Sequence, residues 1–286
     1  MRLNPFNTKV GVALGGGAAK GIAHIGVLKA FEEENIEISY ISGTSVGSII
    51  ASYYAFGKEV QDLTKVADKL RAKEVLKFMF NKKGFVSTDS IRSMILEDIG
   101  DKKIEEAIIP LAICTTDILT GESVIFTKGS LADAVCASIA VPGIFTPVEI
   151  NGRTLVDGGI TQNVPVDVLE KMGAGILIGV DLNGVKKYPN VDGVLDVINN
   201  AIDIAIDHST KEQLEEADMV ISLDLGIYSK FDNEKKKNEL IQIGNQEARK
   251  SLRKLFWYKK INFYYIKNFV LEMIPFKIPK LFTRTK

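Results

Sequence analysis

The chain has 286 residues, of which 46% are hydrophobic, so its size allows one large domain or two small ones with an ample apolar core. Its 36 lysines and arginines equal its 36 aspartates and glutamates, and a zero net charge gives no overall field that would attract nucleic acid. No segment offers the roughly 18 uninterrupted apolar residues of a membrane span, and residues 1–8 lack the apolar stretch of a secretion signal. Cys114 and Cys136 show neither CxxC nor metal-ligand spacing, so the sequence predicts a reducing, cytoplasmic location and no metal site.

The first part of the chain has the order strand, glycine turn, helix, strand. Lys9 to Leu14 is predicted as a buried strand, Gly15 to Gly17 as a turn and Ala18 to Glu34 as a helix. Tyr40 to Ser42 is predicted as the second strand. This order is typical of an α/β fold with a parallel sheet flanked by helices.

The second strand leads into the pentapeptide Gly43-Thr44-Ser45-Val46-Gly47, and an apolar stretch rich in small residues follows it. Glycines two residues on either side of a serine permit a sharp strand-to-helix turn. Such a nucleophile elbow presents the serine oxygen at the start of a helix, where backbone N–H groups point outward. The pattern predicts that Ser45 is a nucleophile.

Downstream, apolar runs and turn signals predict further elements of a single α/β domain without internal repeats. The Asn151-Gly152 pair favours a tight hairpin turn. The predicted strands are Leu111 to Thr116, Ser123 to Phe126, Val148 to Ile150, Thr154 to Val156 and Gly175 to Leu182, and the predicted helices are Lys58 to Gly100, Ser130 to Ser138 and Val191 to Ala217.

A serine nucleophile needs a base within hydrogen-bond reach. The two histidines are poor candidates, because His24 lies inside the first helix and His208 lies in a long helix far from any glycine turn. Asp157 follows a strand and precedes Gly158 and Gly159, which permit close approach. Taken alone, this Asp-Gly sequence is better explained as an ordinary turn.

The first strand ends in Gly15-Gly16-Gly17-Ala18-Ala19-Lys20-Gly21. Three consecutive glycines leave backbone N–H groups able to converge on a small anion at a helix start. If both glycine turns lie at the carboxyl edge of one parallel sheet, this cradle is beside Ser45. A nucleotide site is the alternative, but the segment matches neither G-x-G-x-x-G nor the P-loop.

Together, the triple-glycine loop, the pentapeptide around Ser45 and Asp157-Gly158-Gly159 resemble the motifs of bacterial patatin-like phospholipases, in that family's order. The stretches Thr116 to Glu122 and Ala137 to Val148 agree with the same family. The resemblance covers about Lys9 to Leu182.

This resemblance implies a three-layer α/β/α fold with a mainly parallel central sheet, and a lipid acyl hydrolase without cofactor or metal. Ser45 would be the nucleophile, Asp157 the base, and the amides of Gly15, Gly16 and Gly17 the oxyanion hole. A phospholipid or other acyl lipid would be the substrate, through an acyl-enzyme. An inactive lipid-binding or regulatory protein and an acyltransferase are the alternatives. Residues that would support the motifs are Ala18, Lys20, Gly21, Gly43, Gly47, Gly158 and Gly159.

The sequence predicts a hydrolase domain over residues 1–254 and a basic, aromatic segment over 255–286. Basic residues interleaved with aromatics suit contact with anionic lipid at the inner face of a membrane. A helix packed over the core with a basic rim explains the same composition. The cluster between Leu76 and Phe85 is a second candidate for lipid contact, with core packing as the alternative.

Overall fold

The structure, a computed structural model, describes residues 8–72, 87–184, 188, 190–225 and 235–269, and describes 71, 72, 195, 235 and 256–269 by their backbone alone. Eight strands form one sheet, and short 3-10 turns include Ala18–Ile22, after the triple glycine, and Gly158–Ile160, after Asp157. The strands are β1 (Val10–Leu14), β2 (Tyr40–Thr44), β3 (Leu111–Asp117), β4 (Ser123–Phe126), β5 (Val148–Ile150), β6 (Arg153–Asp157), β7 (Ile176–Asp181) and β8 (Met219–Ser222). The described helices are α1 (Ala23–Glu33), α2 (Val46–Ala55), α3 (Val60–Ala72), α4 (Asp89–Asp98), α5 (Leu131–Ser138), α6 (Val166–Met172), α7 (Val194–Glu215) and α8 (Lys235–Phe269).

The centre of the sheet is parallel. Paired neighbours follow the order β5-β6-β3-β2-β1-β7-β8, with β4 also paired to β3. Strands β3, β2, β1, β7 and β8 run in the same direction, whereas β4 and β6 are antiparallel to β3. The loops that follow β1, β2 and β7 therefore all lie at one carboxyl edge, where ligands bind in open α/β sheets.

Helices cover both faces of this sheet. In β1, Val10, Val12 and Leu14 point into the larger apolar cluster, which α1 to α5 and α8 share, and Ala13 points into the opposite cluster with α6. Alternate residues of a strand face opposite sides, so each face receives its own apolar set. The result is the predicted three-layer α/β/α arrangement.

The predicted elements agree with the observed ones to within a few residues, with two differences. The segment predicted as one helix from Lys58 to Gly100 contains α3 and α4, and residues 87 and 88 between them are not helical. The helix predicted from Ala18 begins as a 3-10 turn. The Leu76 to Phe85 cluster lies outside the described residues.

Helix α8 packs along α1. A Cβ added to Gly26 would overlap the carbonyl of Ile241, and one added to Gly244 would overlap the carbonyl of Ala23, so the two backbones touch where the helices cross. Arg249 donates to Glu34 through Nε at 3.0 Å and to Glu33 at 3.3 Å. The first part of α8 is therefore a component of the domain.

The predicted boundary between residues 254 and 255 falls inside α8, whose backbone continues to Phe269. The side chains that would contact a membrane lie beyond those described, so that role stays a prediction. None of the described helices combines the length and apolar character that a membrane crossing requires.

Candidate active site

Ser45 occupies a strained turn between β2 and α2. Its backbone angles are φ 54° and ψ −130°, a combination that residues other than glycine rarely adopt. Its N–H donates to Ser138 Oγ at 2.9 Å, and that hydroxyl donates to the carbonyl of Cys114 at 2.7 Å. A side chain on Gly43 or Gly47 would collide with backbone atoms, so the glycines of the pentapeptide are needed for the close approach of strand and helix.

Two strands bring Ser45 and Asp157 together at β3. Residues 113–116 of β3 pair with β4, residues 111–114 pair with β2, and residues 115–117 pair with β6. Because one strand has only two edges, β2 and β6 must share the edge opposite β4. Thr44, the last residue of β2, faces Cys114, and Asp157, the last residue of β6, faces Thr115. The two strands thus meet end to end opposite consecutive residues of β3, and both chains turn away at this junction.

The Asp157 carboxylate is held in place by its own loop. Oδ1 accepts the N–H of Gly159 at 2.7 Å, and the Asp157 N–H donates to the carbonyl of Ala140 at 2.9 Å. Only 7% of the residue is exposed. A Cβ on Gly158 would overlap the carbonyl of Cys114, so this glycine permits the loop to lie directly on β3.

Asn163 links the two glycine segments. Its Oδ1 accepts the N–H of Gly16 at 3.2 Å, and its Nδ2 donates to Thr210 Oγ1 of α7 at 3.1 Å. A Cβ on Gly16 would lie 3.3 Å from Ser45 Cβ, and one on Gly159 would lie 3.5 Å from Asn163 Oδ1. The glycine loop, Ser45 and the Asp157 loop therefore adjoin one another around this amide.

The three loop glycines differ in what their amides do. Gly15 N–H donates to the carbonyl of Val180 at 3.2 Å, and Gly16 N–H is engaged by Asn163. Within the described chain, the Gly17 N–H has no hydrogen-bond acceptor. Val46 begins α2, and the first amides of a helix have no partner inside it. Within the described chain, the amides of Gly17 and Val46 therefore have no acceptor, and Val46 directly follows Ser45.

His24 supports the glycine loop from the interior. Its Nε2 lies 2.7 Å from the carbonyl oxygen of Gly15, which can only accept, so Nε2 carries the proton. The ring is fully buried, and this burial lowers its pKa to about 4 against the smaller opposing effect of the Gly15 hydrogen bond. Its Nδ1 is buried without a partner among the described residues. The prediction that His24 packs inside the domain is confirmed.

The remaining predicted residues surround this junction. Lys20 is buried and donates to Asn183 Oδ1 at 3.4 Å, which braces the loop after β1 against the loop after β7. Ala18 has a positive φ of 51°, and a Cβ on Gly21 would overlap Val46.

Two polar residues lie apart from the junction. Asp117 accepts the Leu119 N–H at 3.0 Å, as a turn residue does, and His208 is exposed on α7. The supporting role of Ser138 was not predicted, although this residue lies in a recognised motif. Asn163 was expected to shape the loop that holds Asp157, and its side chain also bonds to the glycine loop.

The fold and the turn at Ser45 are those of an α/β protein that presents a serine on a nucleophile elbow. The patatin-like phospholipase family profile matches residues 12–170, which is more than half of the chain. The chain therefore belongs to the patatin-like phospholipase family.

Curated relatives share the same segment. An uncharacterized NTE family protein of Mycobacterium bovis is 35% identical over 187 residues, which cover 64% of this chain and 52% of that protein. Lysophospholipase NTE1 of Yarrowia lipolytica is 30% identical over 184 residues, which cover 62% of this chain and 13% of that protein. The chain thus spans about half the length of the mycobacterial relative and a small part of the yeast one.

Among solved structures, VipD from Legionella pneumophila superposes with a TM-score of 0.56 at 14% identity. The superposition covers 86% of this chain and 67% of that chain. At this identity the likeness concerns the fold alone.

Proposed function

We propose that this chain hydrolyses an ester bond of a lipid through an acyl-enzyme on Ser45, with Asp157 as the base. The observation that carries the proposal is the end-to-end meeting of β2 and β6, which puts the serine and the aspartate at one junction beside the glycine loop. The membership of the family and the relatives named lysophospholipase support the same reaction.

In the first step, Ser45 Oγ attacks the carbonyl carbon of the ester while its proton passes to the Asp157 carboxylate. The Gly159 N–H on Oδ1 fixes the orientation of that carboxylate before the substrate arrives. The oxyanion that forms is received by the Gly17 and Val46 amides, and the start of α2 adds a favourable dipole. Gly15 and Gly16 contribute by letting the loop approach and by anchoring it to β7 and Asn163.

When the tetrahedral species collapses, the ester C–O bond breaks and Asp157 returns the proton to the leaving alcohol. Asp157 then takes a proton from water, which attacks the acyl-enzyme, and Ser45 recovers its proton as the fatty acid leaves. Each half-reaction uses the same base and the same amides. An alcohol in place of water would make the product a new ester, so product analysis separates hydrolysis from acyl transfer.

A monoacyl phospholipid is the first substrate to test, because the Yarrowia lipolytica relative is named a lysophospholipase. The test is a fluorophosphonate probe followed by intact-protein mass, with Ser45→Ala as the control. We expect one adduct on the natural chain and none on the variant, together with release of fatty acid from lysophosphatidylcholine. A folded chain that takes no adduct and releases no fatty acid would favour the non-catalytic lipid-binding alternative.

A further inference from the structure

The peptide unit between Gly15 and Gly16 is bonded at both ends by buried side chains. Its carbonyl oxygen accepts from His24 Nε2 at 2.7 Å, and its N–H donates to Asn163 Oδ1 at 3.2 Å. His24 is fully buried and Asn163 is 4% exposed. The peptide is trans, so its C=O and N–H point in opposite directions. The two side chains therefore hold this peptide from opposite sides.

A loop of three glycines needs restraint of this kind. Glycine adopts positive and negative φ with similar ease, so three in succession leave the backbone of Gly15 to Gly17 unusually free to turn. A rotation of the peptide between the first two glycines would also reorient the next peptide, whose N–H belongs to Gly17. That N–H is one of the two amides that the proposed function assigns to the oxyanion. Such donors are effective when the protein fixes their orientation before the reaction begins.

The side chain of Asn163 is itself held in one orientation. The Gly16 N–H can only donate, so the amide oxygen of Asn163 faces it and Nδ2 faces Thr210. Thr210 Oγ1 accepts from Nδ2 at 3.1 Å and donates to the carbonyl of Ile206, one turn earlier in α7, at 2.7 Å. An unbroken series of hydrogen bonds thus connects the glycine loop to the backbone of α7.

The same amide lies next to the nucleophile. A Cβ on Gly16 would be 2.7 Å from Asn163 Oδ1 and 3.3 Å from Ser45 Cβ. The Gly16 N–H also reaches the main-chain oxygen of Asn163, at 3.3 Å. Loss of the Asn163 side chain would therefore loosen this end of the peptide without releasing it completely.

We propose that His24 and Asn163 form a clamp on the peptide between the first two loop glycines, and thereby orient the Gly17 N–H toward the oxyanion. Each would act through the loop and not on the substrate, so both are positioning residues. The proposal rests on the proposed acyl-enzyme reaction at Ser45. A purely structural role would lower the free energy of unfolding, because buried hydrogen bonds are lost, but would leave the rate of the folded enzyme unchanged.

The test variants each remove one part of the clamp. His24→Leu and Asn163→Leu remove the two bonds to the peptide singly and together, and Thr210→Val removes only the hydroxyl that holds Asn163. Thr64→Val is the matched control, because Thr64 Oγ1 also donates to the carbonyl four residues earlier in its helix, that of Val60 at 3.3 Å, but lies in α3.

The measurements separate orientation of the oxyanion donor from stability. Steady-state hydrolysis of a short soluble ester gives kcat and KM. Inhibition by a long-chain alkyl trifluoromethyl ketone reports on the oxyanion directly, because Ser45 Oγ adds to its carbonyl carbon and the carbonyl oxygen becomes an oxyanion as the serine proton passes to Asp157. Urea denaturation gives the free energy of unfolding of each variant.

We expect each Leu variant to lose about 10- to 100-fold in kcat, with KM within about twofold of the natural value. Inhibition by the ketone should weaken by about the same factor as kcat/KM. Because both side chains restrain one peptide, the double variant should be no more than about threefold slower than the slower single variant. Thr210→Val should lose about threefold or more in kcat, and Thr64→Val should match the natural chain.

Folded Leu variants with the natural kcat would overturn the clamp, and so would losses that multiply in the double variant. If the Leu variants do not fold, Thr210→Val decides the question, since an unchanged kcat and unchanged ketone inhibition in that variant would overturn the clamp as well. A natural chain that forms no fluorophosphonate adduct and hydrolyses no ester would instead refute the proposed function, and the clamp with it. An active natural chain therefore distinguishes failure of the clamp from failure of the proposed function.

Discussion

Thr44 and Asp157 face consecutive residues, Cys114 and Thr115, along one edge of β3. The turn that carries Ser45 and the loop that carries the aspartate therefore start from adjacent points of the same strand. Neither β2 nor β6 can move along β3 toward the other strand without a steric clash between their ends. The relative position of the proposed nucleophile and the proposed base is set by backbone pairing in the sheet.

Replacing Asp157 with Asn tests its role as the base. Asn keeps an oxygen for the Gly159 N–H but cannot accept the serine proton, so we expect kcat on a soluble ester to fall by about 10²–10⁴ with the fold retained. Asp117→Asn is the matched control, because Asp117 is also buried, at the end of β3, but serves the turn at Leu119 and the Arg153 ion pair. The control should lose stability and keep most of its kcat. A fully active Asp157→Asn enzyme would rule out the Ser-Asp mechanism.

The backbone of Ser45 predicts an effect on stability. A non-glycine residue at φ 54° and ψ −130° costs about 1–3 kcal/mol, and glycine avoids most of this strain. We expect Ser45→Gly to have a free energy of unfolding about 1 kcal/mol higher than Ser45→Ala in urea denaturation. At Ser52, in the interior of α2, the order should reverse because glycine is a poor helix former. The same order at both positions would contradict the strained-turn account.

His24 predicts a pH dependence. The unfolded chain binds a proton at this ring below about pH 6.5, whereas the folded chain resists protonation until about pH 4. The free energy of unfolding should therefore fall as the pH is lowered from 6.5 toward 4, by up to roughly 3 kcal/mol from this group. His24→Gln keeps an N–H donor for the Gly15 carbonyl and cannot titrate.

The measurement is urea denaturation at several pH values. The Gln variant should show a shallower loss of stability than the natural chain over this window, and should retain ester hydrolysis better than His24→Leu. If the free energy of unfolding depends on pH identically in the natural chain and the His24→Gln variant, the folded protein does not keep the His24 ring neutral.

The crossing of α1 and α8 predicts a strong effect of one methyl group. Gly244→Ala places a Cβ against the Ala23 carbonyl, so the helices must separate, and we expect a loss of about 2–3 kcal/mol in the free energy of unfolding. Gly193→Ala is the control, because its extended backbone and nearest atom at 3.8 Å leave room for a methyl group. Equal stability of the two variants would show that the close crossing is absent in solution.

Sequence reasoning predicted the elements whose causes are local. Strand β1 ends directly before the triple glycine, and the hairpin of β5 and β6 is set by Asn151-Gly152, both of which have positive φ. Ser130 accepts the Asp133 N–H at the start of α5, as a helix cap does. Such signals are readable because neighbouring residues alone decide the conformation.

Features that depend on distant segments were not predicted. The short helix α6 was not predicted. The hydrogen bond between the Ser45 N–H and Ser138 Oγ depends on where α5 meets β3, and not on the sequence around Ser138. The apolar periodicity of α7 predicted a helix, but periodicity cannot tell a buried face from an exposed one. The engagement of the Gly15 and Gly16 amides likewise depends on β7 and Asn163, far along the chain.

The helix crossing at Gly26 and Gly244 also bears on the order in which the protein is assembled during synthesis. Glu34 and Arg249, which bond across it, are separated by 215 positions. Because a chain emerges from the ribosome with its N-terminus first, α1 waits for its covering helix until nearly all of the described sequence has been made. Contacts over such long separations form slowly. The docking of α8 is therefore a late step of folding, and until it occurs the nascent chain presents the bare surface of α1 to chaperones.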